Sequence, residues 1–373
     1  MIEAGARIHN YLLSLEDLTP VEIVRQVRMM GYVGQEKAVK SLSLMACRHV
    51  KRLASVFLEG ISQDELPSKD NYLLLGPTGC GKTHLIRLIF EKILQLPTAI
   101  IDITSYSETG YIGQDVVSIL TRLVHAADGD YELASIGIVC LDEFDKLSSG
   151  KNNAVFSGQG TTKDVSGLGV QRELLKMLEG AEIDVPIELT HSSYSPRATM
   201  ETDFISFVAL GAFSGITKTI QHYNQQIGFG KKESKGQEQR NEIAYRLTEE
   251  EVRKTSYFQN YGIMPELIGR FTRIIPFHPL DKENLKQILL DNLMSQYEKE
   301  LRMIHVSLEI EEAVMDKITE EALERETGAR GLKSSLYSYI EDACFDLYST
   351  PSTKKRIIHL YIEGGDIQWG IKS

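Results

Sequence analysis

Eight residues, Gly76-Pro77-Thr78-Gly79-Cys80-Gly81-Lys82-Thr83, constrain this chain more than any other stretch. They fit the pattern G-x-x-x-x-G-K-[ST], which has a physical meaning only between a strand and a helix. Both are written into the flanks. Tyr72-Leu73-Leu74-Leu75 is an unbroken apolar run that predicts a buried strand, and from His84 to Leu94 the apolar residues Leu85, Ile86, Leu88, Ile89 and Ile93 recur at helical spacing. In such a turn the glycines let backbone N–H groups curl inward around phosphate oxygens, and the helix start adds its partial positive charge. Lys82 then reaches the outer phosphates and Thr83 offers a hydroxyl to Mg²⁺. The segment from Gly76 to His84 is therefore the expected binding loop of a nucleoside triphosphate.

A second run, Ile136-Gly137-Ile138-Val139-Cys140-Leu141, reads as another buried strand and ends in Asp142-Glu143. An acidic pair at the tip of a core strand is the Walker-B arrangement: Asp142 would hold the Mg²⁺ shell and Glu143 would polarise the water that attacks the γ-phosphate. The guanine-reading pattern N-K-x-D is absent from the sequence, so ATP is expected rather than GTP.

Charge narrows the partners. A net charge of −11 argues against a dedicated nucleic-acid binder, which would carry a basic face. The cysteines, Cys47, Cys80, Cys140 and Cys344, lie far apart with no CxxC pair, the usage of reduced and mostly buried thiols. The sequence carries neither a secretory leader nor an 18-residue apolar run, so the expectation is a soluble, cytoplasmic protein with no membrane partner.

From about Leu18 to Arg273 strand-like and helix-like segments alternate, adding Thr98–Ile103 and Phe204–Leu210 to the two strands above. That alternation predicts a three-layer α/β domain with a largely parallel sheet. After Pro276 the pattern changes to amphipathic helices over Asp281–Leu301, Glu311–Arg325 and Gly331–Leu347, with short strands at Val306–Ile310 and Arg356–Ile362. The expected division is a large domain over 1–275 and a small, mainly helical domain over 276–373. Polar stretches at Ser148–Lys163 and Gly230–Asn241 hold too few apolar residues to pack and read as loops.

With the nucleotide loop in place, an ordered series of motifs resembles the ClpX-type members of the Clp/HslU unfoldase family of AAA+ ATPases. It runs through Tyr32-Val33-Gly34-Gln35-Glu36-Lys37-Ala38, Gly110-Tyr111-Ile112-Gly113, Asp142-Glu143-Phe144-Asp145-Lys146 and Asp164–Gln171. It continues through Gly211-Ala212-Phe213, Ile227-Gly228-Phe229-Gly230, Pro265-Glu266-Leu267-Ile268-Gly269-Arg270 and Gly328-Ala329-Arg330-Gly331-Leu332. The resemblance implies an ATP-dependent protein unfoldase built as a homohexamer, with a P-loop large domain and a helical lid. It implies that Tyr32 and Val33 line the adenine pocket, that Arg270 is an arginine finger completing a neighbour's ATP site, and that Arg330 contacts the nucleotide from the lid. It further implies that Tyr111 and Ile112 form a pore loop gripping a threaded protein substrate. Ile227, Gly228 and Phe229 would dock on a ClpP-type peptidase.

Departures from the family pattern bear on substrate choice rather than on ATP chemistry. The four-cysteine zinc domain that precedes the family's ATPase module has no counterpart here, so no zinc is expected. Residues 183–203 lack the basic loop of the ring entrance, Ala209-Leu210 offers no polar side chain ahead of Gly211, and Tyr32 stands where the family has an aliphatic residue. Three other readings remain at this point: a remodelling chaperone of the same build without a peptidase, an AAA+ motor acting on nucleic acid, and a nucleotide-sensing scaffold. Intact Ile227-Gly228-Phe229 disfavours the first, the acidic charge and aromatic pore motif the second, and the Asp142-Glu143 pair the third.

Overall fold

A computed structural model describes residues 2–15, 18–107, 114–148, 167–186, 197–214, 216, 254–325, 327–350 and 355–372. Five strands form a sheet in which every pairing is parallel: β1 (Tyr72–Leu75), β2 (Thr98–Asp102), β3 (Ile138–Asp142), β4 (Ser206–Gly211) and β5 (Arg273–Pro276), in the spatial order β2-β3-β4-β1-β5. Alternation along each strand divides the side chains between two faces. Leu73, Leu75, Val139, Leu141, Phe207 and Ala209 point to one apolar layer, which the helices Ser118–Ala126, Gly167–Glu179 and Thr255–Tyr261 cover. Tyr72, Leu74, Ile138, Cys140, Val208 and Leu210 point to the other, beneath Pro20–Met29, Glu36–Phe57 and the helix that follows the phosphate loop. The expected three-layer α/β architecture is the one observed.

A third apolar cluster is built of residues 280–369 and shares no side chain with the other two. Helices Glu312–Glu324 and Ala329–Ser349 pack there against a three-stranded sheet. Its strands are β6 (Val306–Ile310), β7 (Arg356–Glu363) and β8 (Asp366–Lys372), with β6 parallel and β8 antiparallel to β7.

Two long helices differ from the periodicity reading in the same way. The segment after the phosphate loop is α-helical over Lys82–Ile86 and widens to π-helix over Arg87–Ile93, so that Leu88, Ile89 and Phe90 all reach the core. In the lid, Lys282–Ile288 passes through a π stretch at Leu289–Met294 into Ser295–Arg302. Its buried residues are Leu285, Leu289, Leu293, Tyr297 and Leu301, a strict interval of four. An α-helix of period 3.6 would rotate such a row off its face, and a wider turn holds it there. Among the described residues no helix is long and apolar enough to cross a membrane.

Candidate nucleotide site

The carboxyl ends of β1 and β3 lie on one edge of the sheet, where open α/β folds place their ligands. A cavity of about 660 Å³ opens there between the phosphate loop, the end of β3 and the lid, within the size range of small-molecule sites.

The loop's glycines are dictated by close approach. Gly79 has φ 74°, and a Cβ on it would collide with the carbonyl oxygen of Thr327 in the lid. Gly81 has φ 96°, and a Cβ there would lie 2.9 Å from the Tyr32 hydroxyl. The lid also touches the loop through its main chain, Ala329 N–H donating to the Gly79 carbonyl at 3.1 Å. Arg330 follows and lines the cavity with Lys333, so the lid brings two cations to it.

Lys82 is buried, and its Nζ donates to the carbonyls of Gly76 at 2.6 Å and Pro77 at 2.8 Å. The ammonium is thus held against the loop's own carbonyls. Thr83 Oγ1 donates to Asp142 Oδ2 at 2.9 Å, joining the helix start to the tip of β3. Two oxygens at that separation match one edge of an Mg²⁺ octahedron, whose ligands stand about 2.0–2.1 Å from the ion. Mg²⁺ also keeps water and substrate oxygens rather than a full protein cage, so a donor set of one hydroxyl and one carboxylate suits it.

Glu143 has φ 56°, a left-handed conformation that costs a side chain of this kind about 1–2 kcal/mol. Its N–H donates to Asp142 Oδ1 at 2.9 Å, and the turn Phe144–Leu147 begins immediately after. The strain swings the chain off β3 and leaves the Glu143 carboxylate exposed on the cavity wall. Asp145, in the same turn, is buried, and its Oδ1 accepts the Ala212 N–H at 3.1 Å. The end of β4 is therefore tied to the acidic turn by a main-chain donor, in a region where the buried side chains of Ala209 and Leu210 are apolar.

Tyr32 and Val33 line the cavity. The Tyr32 ring stacks on His84 with centroids 5.9 Å apart, and its hydroxyl donates to the Gly81 carbonyl at 3.3 Å. Burial pushes the Tyr32 phenol upward and the His84 imidazole downward, disfavouring the charged form of each. Thr78 to His84, Asp142, Glu143 and Arg330 line this one cavity, while the Gly76 and Pro77 carbonyls accept from Lys82.

Arg270 is elsewhere. It ends the short helix Pro265–Gly269, pairs with Glu179 and does not line the cavity of its own chain. Buried Gln171 links this region to the acidic turn: its amide donates to the Leu147 carbonyl at 2.8 Å and accepts the Met264 N–H at 2.7 Å. Tyr111 and Ile112 of the pore motif lie outside the described residues, as do Ile227, Gly228, Phe229 and, apart from Ser148, both polar stretches read as loops.

Asp145 and Gln171 carry contacts that no motif assigned to them individually. Their partners stand 67 and 93 positions away, so local spacing holds no signal for them beyond their place inside longer motifs.

Comparison of the sequence with known proteins identifies its relatives. Residues 68–274 match the AAA domain (Cdc48 subfamily) and residues 280–359 match the C-terminal, D2-small domain of ClpB protein. The ATP-dependent Clp protease ATP-binding subunit ClpX of Azotobacter vinelandii is 36% identical over 94% of this chain and 79% of its own length. The protein of the same name from Treponema denticola is 35% identical over 88% of this chain and 77% of its own, and that from Porphyromonas gingivalis 35% over 93% and 81%. At this identity and coverage, and with a nucleotide cavity of this construction, the chain belongs to the ClpX family of AAA+ ATPases.

Proposed function

We propose that this ATPase is a protein unfoldase that works as a homohexameric ring, with 1–275 as the large ATPase domain and 276–373 as the lid. The observation that carries the reading is the meeting of the phosphate loop, the Asp142-Glu143 tip and the lid start around one cavity, with Arg270 held outside it. A site that has its base but lacks its cationic finger calls for a second subunit.

In this reading the loop N–H groups and Lys82 hold the triphosphate, and Thr83 and Asp142 hold the Mg²⁺ that would neutralise its charge. Glu143 orients and deprotonates the attacking water. Arg270 of the adjacent copy stabilises charge developing on the γ-phosphoryl oxygens. Arg330 senses the nucleotide from the lid, and the direct contact between Ala329 and Gly79 supports a lid position that depends on the state of the loop. Tyr111 and Ile112 would pull on a threaded protein, since an aromatic–aliphatic pair offers sequence-tolerant apolar grip. Ile227, Gly228 and Phe229 would dock the ring on a ClpP-type peptidase, the partner class that the names of the relatives suggest.

The test is unfolding of a stably folded, tagged protein with ATP present. Tyr111→Ala should keep basal ATP hydrolysis within about three-fold while losing unfolding, because grip is removed and chemistry is kept. Unfolding at the wild-type rate in that variant would remove Tyr111 from the mechanism.

A further inference from the structure

Gln35 occupies the position just before the helix Glu36–Phe57, where Ser, Thr, Asp or Asn usually turns its side chain back onto the helix's free N–H groups. Gln35 makes no such bond, and its backbone sits at φ 55° and ψ 40°, in the left-handed region that side-chain-bearing residues rarely adopt. A capping position in a strained conformation, with its polar group sent elsewhere, breaks the local rule at some cost.

The amide's destination is the segment between the sheet and the lid. Gln35 Oε1 accepts the His278 N–H at 3.0 Å, and Gln35 Nε2 donates to the His278 carbonyl at 2.7 Å. One side chain thus pairs with both main-chain groups of one residue, as a neighbouring strand would. The same Nε2 reaches the Cys80 carbonyl of the phosphate loop at 3.4 Å. His278 lies between the end of β5 at Pro276 and Asp281, which caps the first lid helix. Around Gln35 the neighbouring residues repeat the theme: the Gly31 carbonyl accepts from Asn292 of the lid at 2.8 Å, and Tyr32 bonds the Gly81 carbonyl.

We propose that Gln35 is a positioning residue that ties the linker to the lid onto the phosphate loop, so that the loop's nucleotide state sets the lid's position through this amide. Bonds to both groups of His278 fix the linker in translation and in rotation, and the third contact fixes it relative to Cys80. A lid so held presents Arg330 to the cavity in a defined place. The proposal goes beyond the unfoldase reading but rests on the cavity being the ATP site, which wild-type turnover checks separately.

Two substitutions separate this role from simple structural support. Gln35→Met keeps the length of the side chain and removes every hydrogen bond, whereas Gln35→Glu keeps the acceptor for His278 N–H and loses both donations. The full chain is followed by amide exchange in peptides covering 277–280 and by ATP kinetics. Gln35→Met should speed exchange at His278 at least about ten-fold, and Gln35→Glu should leave it protected. Both should raise KM for ATP at least about five-fold, with a smaller change in kcat, because the lid is mispositioned while Glu143 is untouched. If Gln35→Met fails to fold, Gln35→Glu alone decides by the same KM criterion. A KM within about two-fold of wild type in the folded variants, whatever the exchange, would overturn the proposal.

Discussion

Replacing Lys82 with alanine measures the phosphate loop directly. In the structure its ammonium is already engaged, with Gly76 and Pro77 carbonyls at 2.6 and 2.8 Å. A charge-assisted hydrogen bond to phosphate contributes about 1.5–3 kcal/mol, or about 10- to 150-fold in affinity. Because binding exchanges partners instead of creating them from nothing, the lower part of that range applies, about 10- to 50-fold. Removing the ammonium also deprives two loop carbonyls of their donor before any nucleotide arrives. Two effects should therefore appear together: a rise in Kd for a fluorescent ATP analogue, titrated with Glu143→Gln also present to prevent turnover, and faster amide exchange across 76–81 in the free protein. A Kd within about three-fold of the Glu143→Gln parent would refute the assignment of Lys82 to the phosphates.

Two further outcomes follow from other parts of the molecule. His49 is fully buried, bonding Ser206 Oγ at 3.0 Å and the Ile136 carbonyl at 2.8 Å, and burial lowers its pKa to about 4. The unfolded chain takes up that proton near pH 6.5 and the folded one does not. Stability is therefore kept above about pH 6.5 and falls by up to about 3 kcal/mol as pH drops towards 4, and His49→Gln should flatten denaturant midpoints over that window. An unchanged slope would show that His49 is not the titrating group. Phe229→Ala should preserve ATP hydrolysis and unfolding while sharply reducing degradation with a ClpP-type peptidase. A wild-type ring that never stimulates such a peptidase would favour a stand-alone chaperone.

What the sequence disclosed depended on whether a feature was local. The phosphate loop, the Asp142-Glu143 tip and the strands around them are contiguous runs whose pattern carries their geometry. β5 escaped notice because Arg273-Ile274-Ile275-Pro276 is four residues long and ends in proline. β8 did so because Asp366–Lys372 mixes charge, glycine and a single tryptophan without clean alternation. The small domain, read as mainly helical, therefore carries a three-stranded sheet as well. The π stretches were hidden by an interval of four that an α-helix and a wider turn both tolerate over short windows. Gln35 lay inside a recognised motif, yet its partner is 243 positions away and only folding reveals it.

The central claim is an ATP site with Glu143 from one copy and Arg270 from the next. It is tested most directly by mixing Arg270→Ala chains with Glu143→Gln chains after confirming that both assemble together. Each parent alone should hydrolyse ATP at least about 100-fold more slowly than wild type. In an equal random mixture about a quarter of the interfaces would pair an intact Glu143 with an intact Arg270, so a clear fraction of activity should return. Co-assembled mixtures as inactive as their parents would contradict a shared site, and with it the account of this chain as a ring-forming motor.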